Sequence, residues 1–113
     1  MQANLQELKE TYSRQTYSVF SINRQQKIAD SQVTFSLAHS VFIIPVFGAA
    51  EITIGGNEFV CEGTTVVHVP AGQTVTYLPL YGRSFAHVTI YYDGIQGDVT
   101  SPIFKAYAFD PQG

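Results

Sequence analysis

From Tyr17 onward, turn-forming residues (glycine, proline, asparagine, aspartate and serine) interrupt the chain at intervals of roughly eight to twelve residues, and the segments between them are rich in β-branched and aromatic residues. Such spacing leaves no room for the helical crossovers that join parallel strands. Short strands connected by frequent tight turns are typical of antiparallel sandwiches and barrels. The pattern therefore predicts an all-β domain of roughly six to eight short strands.

Two segments carry the most specific strand and turn signals. Val41–Phe47 is almost wholly apolar, as expected for a strand covered on both faces, and Pro45 predicts a bulge or an edge within it. Gly55, Gly56 and Asn57 predict a tight hairpin turn, because these residues tolerate positive φ. The predicted strands are Tyr17–Asn23, Gln32–Ala38, Val41–Phe47, Glu51–Ile54, Glu58–Glu62, Thr64–Val69, Thr74–Leu80 and Ser84–Tyr92, and Ile103–Phe109 is a candidate for a final strand.

The N-terminal segment has a different pattern. Residues 4–13 predict one short helix, because apolar side chains recur on one face and neither glycine nor proline intervenes. A helix of this length is marginal by itself and needs to dock on the rest of the chain. We therefore divide the chain into an N-terminal arm or short helix (residues 1–16) and a β-domain (residues 17–113), with a loop rich in Gly, Asp, Ser and Pro over residues 93–102.

The charge pattern excludes one class of partner. Nine acidic and six basic residues give a net charge of −3, and only 13% of the chain is charged. No two basic residues are adjacent, so no basic stripe follows a phosphate backbone. We expect this chain itself not to bind nucleic acid.

Apolar runs and cysteine content indicate the compartment. The longest apolar run, Val41–Phe47, is far too short to span a membrane, and the N-terminus lacks the basic and apolar regions of a signal peptide. The single cysteine, Cys61, cannot form an internal disulfide, and its alternation with Phe59 predicts a buried, inert thiol. We expect a cytoplasmic protein without membrane contact.

The segment from Val41 to Leu80 resembles a known fold. It reads VFIIPVFGAAEITIGGNEFVCEGTTVVHVPAGQTVTYLPL: an apolar strand, a glycine turn, a hairpin with a Gly-Gly-Asn tip, Glu-Gly, a β-branched run and Pro-Ala-Gly. This order resembles the core of the cupin fold, a jelly-roll barrel, and is especially similar to the N-terminal sensor domain of AraC-type transcription regulators. The resemblance implies a barrel that binds a small-molecule effector or mediates homodimerisation. DNA binding would then belong to helix-turn-helix units in a region absent from this chain.

The same resemblance allows a test for metal ligands. Metal-binding cupins carry two signatures, which we anchor at Gly48 and at Pro70-Ala71-Gly72. None of the resulting positions offers the imidazole, carboxylate or thiolate that a transition metal needs, so we expect no metal and no other cofactor. The first signature places its ligands at Phe35 and Leu37 (or Thr34 and Ser36) and at Val41, and the second at Val75 and Pro79.

In this register, the positions that hold the ligands in metal-binding cupins line an apolar pocket. Tyr77 lies two residues after Val75, so it shares the inward face and brings a hydroxyl group. Tyr91 and Tyr92 face opposite ways, and the pattern does not decide which one points inward. The predicted ligand-binding residues are Phe35, Leu37, His39, Val41, Val75, Tyr77 and His87.

Three functions fit these features. The first is an effector-sensing or dimerisation domain of an AraC-type regulator, which is not an enzyme. The second is a stand-alone cupin-like module for binding or oligomerisation. The third is a small cupin enzyme in which His39, His68 and His87 converge as an unusual metal site. We prefer the first.

Overall fold

The computed structural model describes residues 5–6, 8–9, 17–94 and 104–112, and within these ranges the chain forms nine β-strands. Every strand pairing is antiparallel. This confirms the all-β class. The strands are β1 (Tyr17–Lys27), β2 (Val33–Ser36), β3 (Ser40–Phe47), β4 (Ala50–Ile54), β5 (Asn57–Cys61), β6 (Val66–Val69), β7 (Thr74–Pro79), β8 (Phe85–Gly94) and β9 (Tyr107–Phe109).

The strands form two sheets that pack on one another. One sheet has the order β1-β8-β3-β6-β9 and the other the order β2-β7-β4-β5. Alternate residues of each strand point into the core between the sheets, where Val41, Ile43, Ile52 and Val75 are fully buried. The arrangement agrees with a jelly-roll type of fold. Strands β1 and β2 are both edge strands, and the short turn between them joins the two sheets at one side.

Turn chemistry fixes several features that the pattern predicted. Gly55 and Gly56 have φ of 54° and 86° and form the two-residue loop between Ile54 and Asn57. The register of β3 on β8 shifts between Pro45 and Phe47, so the proline marks a bulge in an internal strand.

Gly48 occupies the turn that carries the chain from one sheet to the other. Its φ is +74°, and a Cβ atom there would collide with the backbone carbonyl oxygen of Ser84. Only glycine therefore fits both the backbone conformation and the space.

Part of the predicted N-terminal helix lies within the described ranges. Leu5, Gln6, Leu8 and Lys9 are helical, and Leu8 is buried. The remaining residues of the predicted helix, and the predicted loop beyond Gly94, lie outside the described residues. Within the ranges described above, no helix is long and apolar enough to cross a membrane.

Candidate functional site

A cavity of about 210 Å³ opens between the two sheets at the side where β1 and β2 form the edges. Its walls combine aromatic and aliphatic side chains with a few polar groups, as in small-molecule sites. Strand β1 contributes one residue, the end of β2 and the following loop contribute five, and β7 and β8 contribute one each. The lining residues are Gln25, Phe35, Ser36, Leu37, Ala38, His39, Tyr77 and Tyr91.

A buried lysine lies beside this cavity. Lys27, the last residue of β1, is 7% exposed, and its Nζ atom donates hydrogen bonds to Gln25 Oε1 at 2.9 Å and to His87 Nε2 at 3.0 Å. The Nζ atom also lies 4.5 Å from the ring centre of Tyr77 and 5.3 Å from that of Phe35, so two aromatic faces contribute to holding the cation. Burial lowers the pKa of Lys27.

His87 is the second hydrogen-bond acceptor for Lys27. Because an ammonium group has only donors, His87 Nε2 must accept, which places the ring proton on Nδ1, 2.7 Å from Thr89 Oγ1. The imidazole is fully buried and stacks on the rings of Tyr77 and Phe85. Burial, with a smaller effect from the positive charge of Lys27, lowers the pKa of His87 to about 4, so the ring is neutral near pH 7.

Tyr77 brings a second buried polar group to the cavity wall. The residue is 3% exposed, and burial raises the pKa of its phenol. In the part of the chain that the structure describes, its hydroxyl group has no hydrogen-bond partner. A buried tyrosine hydroxyl normally finds such a partner, and a molecule bound in the cavity that Tyr77 lines is a candidate for it.

The rim of the cavity consists of Phe35 and His39, which line it, and of Phe20, which packs against His39. His39 Nδ1 lies 2.9 Å from Asp93 Oδ1, and the ring of Phe20 stacks on the imidazole with centroids 4.2 Å apart. Phe35 and Phe20 are 46% and 65% exposed, so the rim presents apolar surface to solvent.

The structure brings together four of the seven predicted ligand-binding residues at this cavity: Phe35, Leu37, His39 and Tyr77. The other three lie in the packed interior: Val41 and Val75 belong to the core between the sheets, and His87 lies under Tyr77. Val75 and Tyr77 do share the inward face, as their spacing predicted. That these residues bind a ligand stays a prediction.

Five residues of the site were absent from the predicted ligand-binding set: Gln25, Lys27, Ser36, Ala38 and Tyr91. Gln25 and Lys27 follow Asn23, where the prediction ended the first strand, but β1 continues to Lys27 and alternation points both side chains inward. The available signal was the alternation itself, because Asn23, Gln25 and Lys27 are spaced for one face of a strand. Tyr91 points into the cavity, and Tyr92 faces the opposite side of the sheet.

The three histidines do not converge on one point. His87 lies on the inner face of its sheet, whereas His68 lies on the outer face, where Nδ1 donates to the Lys105 carbonyl oxygen and Nε2 accepts from Tyr92. His39 is at the rim of the cavity. Among the described residues, no three His, Cys, Asp or Glu side chains are grouped closely enough to hold a metal ion.

Cys61 has the structural role that the pattern predicted. Its side chain is fully buried, and Sγ lies 3.4 Å from the Thr65 carbonyl oxygen. Burial, with a smaller effect from the charge of Glu62, raises the pKa of the thiol to about 12, so the nucleophilic thiolate does not form near neutral pH.

A larger depression of about 450 Å³ lies elsewhere on the surface, lined by Gly48, Ala49, Glu62, Gly63, Tyr81 and Arg83. Glu62, Tyr81 and Arg83 are all exposed, so their polar groups are satisfied by water. It lacks the buried polar groups that distinguish the smaller cavity, which is therefore the better candidate site.

The fold is similar to that of a solved protein. Wild-type ToxT from Vibrio cholerae, in a crystal structure with an unsaturated fatty acid bound, matches 74% of this chain with a TM-score of 0.55 and 13% sequence identity. The match covers 36% of the ToxT chain. No protein-family model and no curated protein sequence matches. At this identity the comparison shows a shared fold, and on that fold the cavity described above is the candidate binding site.

Proposed function

We propose that this chain is the effector-sensing domain of an AraC-type transcription regulator, and that it binds a small molecule with an apolar face in the cavity between β1 and β2. Its role is binding and not catalysis. DNA would be bound by a region outside these 113 residues, in a cytoplasmic, homodimeric protein.

The observation that carries this proposal is the buried polar lining of the cavity. The Tyr77 hydroxyl is buried without a partner among the described residues, and Lys27 and Gln25 lie beside it in an otherwise apolar wall. A packed core does not need such groups, because an unsatisfied buried hydroxyl costs roughly 1–3 kcal/mol. A ligand that hydrogen-bonds to them offsets this cost.

The size of the cavity and the ToxT comparison suggest the kind of ligand. About 210 Å³ is below the roughly 300–1,000 Å³ of typical small-molecule sites, so the cavity suits a small ligand or one end of a longer one. The exposed rings of Phe20 and Phe35 at the rim would cover an apolar remainder. ToxT shares the fold and was crystallised with an unsaturated fatty acid, which makes palmitoleic acid a suitable first probe.

Titration calorimetry with palmitoleic acid tests the proposal, using the wild-type chain and Tyr77→Phe. The substitution should lower affinity by roughly two- to twelvefold, the value of one net hydrogen bond. It should leave thermal stability unchanged or slightly higher, since it removes a buried hydroxyl without a partner. The proposal expects saturable binding by the wild type.

Tyr92→Phe is the matched control. It removes a tyrosine hydroxyl that donates to His68 on the opposite face of the sheet, so it should reduce stability and leave affinity unchanged. Equal affinity of the wild type and Tyr77→Phe would show that Tyr77 is structural.

A stand-alone module for binding or oligomerisation is the second candidate. Phe20 and Ile22 are 65% and 64% exposed on β1, an edge strand, and such a surface suits an interface between copies of the chain. The calorimetric titration separates the two roles, because both would give a dimer in sedimentation velocity and a module that serves only for oligomerisation would show no saturable ligand binding.

A further inference from the structure

We infer that Lys27 is the counter-ion of an anionic ligand group, so that the molecule held in the cavity is an amphipathic carboxylate. This inference rests on the proposed function and names its ligand class.

The Lys27 ammonium group lacks a countercharge among the described residues. Lys27 is 7% exposed, and no carboxylate lies within 4.0 Å of its Nζ atom in the described part of the chain, where His39 and Asp93 form the one acid–base pair. A buried charge without an opposite charge is costly, and buried lysines are generally paired. The protein offers this ammonium group only neutral partners, an amide, an imidazole and two aromatic rings.

The Lys27 ammonium group has one N–H donor more than it has protein acceptors in the described part of the chain. It has three N–H donors, and within the described ranges two of them have protein acceptors, Gln25 Oε1 and His87 Nε2. A carboxylate oxygen would take the third position, or would replace the amide oxygen of Gln25. Either contact supplies the missing charge and forms a charge-assisted hydrogen bond.

A ligand in the cavity has access to Lys27 through the residues that lie between them. Gln25 lines the cavity and also contacts Lys27, and its Nε2 atom lies 3.3 Å from the hydroxyl group of Tyr91. Tyr77 likewise lines the cavity while its ring lies against the Lys27 ammonium group. A ligand head group that displaces the Gln25 amide therefore reaches Lys27 and lies close to two tyrosine residues.

The apolar lining of the cavity indicates the chemistry of the rest of the ligand. Leu37, Ala38 and Phe35 provide apolar walls, and the rim continues the apolar surface outward. A carboxylate attached to an apolar chain matches this order of cation, apolar wall and exposed aromatic rim. A small hydrophilic anion would leave the apolar wall uncovered.

The experiment compares palmitoleic acid with palmitoleyl alcohol, which has the same chain and no charge, by titration calorimetry on the wild-type chain, Lys27→Met and Arg24→Met. The wild type should bind the acid at least about tenfold more tightly than the alcohol, and Lys27→Met should abolish this preference by weakening the acid alone. Arg24, on the outer face of the same strand, is the matched control and should behave as the wild type.

Thermal melting separates a binding defect from a folding defect. Methionine has a similar length and no charge, so Lys27→Met should melt close to the wild-type temperature, because removal of a buried charge offsets the hydrogen bond that His87 loses. Lys27→Arg keeps the charge and should retain a preference for the acid, which tests the charge itself if the methionine variant fails to fold.

The outcomes are distinguishable. Equal binding of acid and alcohol by the wild type would overturn the anionic ligand class while supporting the proposed sensor, and so would a preference for the acid that survives in Lys27→Met. Binding of neither molecule would overturn both proposals.

Discussion

Three basic side chains, one lysine and two histidines, are buried in the described part of this fold. Lys27 and His87 are buried next to one another, and His68 is fully buried on the outer face of its sheet. For both histidines burial lowers the pKa to about 4. Their neutrality in the folded chain has a consequence for stability.

The free energy of unfolding should fall as the pH drops from about 6.5 to about 4. In this window the unfolded chain protonates its histidines, whose ordinary pKa is about 6.5, while folded His68 and His87 stay neutral. The unfolded state then binds more protons, so acid favours unfolding, by about 2 kcal/mol per histidine at pH 5. Urea unfolding at pH 7.5 and pH 5 measures the loss.

His68→Gln is the control for this prediction. It should lose about half of the pH-dependent change, since one of the two buried imidazoles is removed. An unfolding free energy that is the same at both pH values would contradict the neutral state assigned to both rings.

At the residue scale the sequence predicted the site in part. Alternation correctly placed Tyr77 with Val75, and it showed that Tyr91 and Tyr92 point in opposite directions. It could not assign the inward one, because both faces of β8 carry apolar and aromatic side chains and the sequence has no polar stripe that marks solvent. Lys27 was missed because a charged residue at a strand end is usually exposed.

At the scale of elements, turn residues predicted better than strand ends. The Gly-Gly hairpin and the bulge at Pro45 follow from backbone chemistry that is local to those residues. The end of β1 does not, because its last residues are held by pairing with β8, which is distant in sequence. Gly48 combines both kinds, since its positive φ is a local requirement and its close approach to the Ser84 carbonyl oxygen is a long-range one.

Gly48→Ala should destabilise the fold by about 1–3 kcal/mol, because alanine would add backbone strain at positive φ and a collision with Ser84. Gly63→Ala is the matched control: its φ is also positive, at +61°, but a Cβ atom there meets nothing within 4 Å. Urea unfolding of both variants should therefore show the larger loss for Gly48→Ala. Equal losses would mean that the close approach to Ser84 carries no energetic weight.

At the scale of the whole molecule, the fold class followed from turn spacing and the cavity did not. Frequent turns and alternating strands are sufficient to predict antiparallel sheets. The cavity depends on sheet order, which places β1 and β2 at the same side of the two sheets and leaves the space between their inner faces incompletely filled. Sheet order results from long-range pairing that no short segment of sequence encodes.

We propose that a ligand binds between the edge strands β1 and β2, and mapping of amide chemical shifts by NMR during titration with palmitoleic acid checks this location. The largest shift changes should occur around the cavity, at Leu37, Ala38, Tyr77 and Tyr91. Changes confined to the outer face, at Ile44 and Val88, or no saturable change at all, would contradict it.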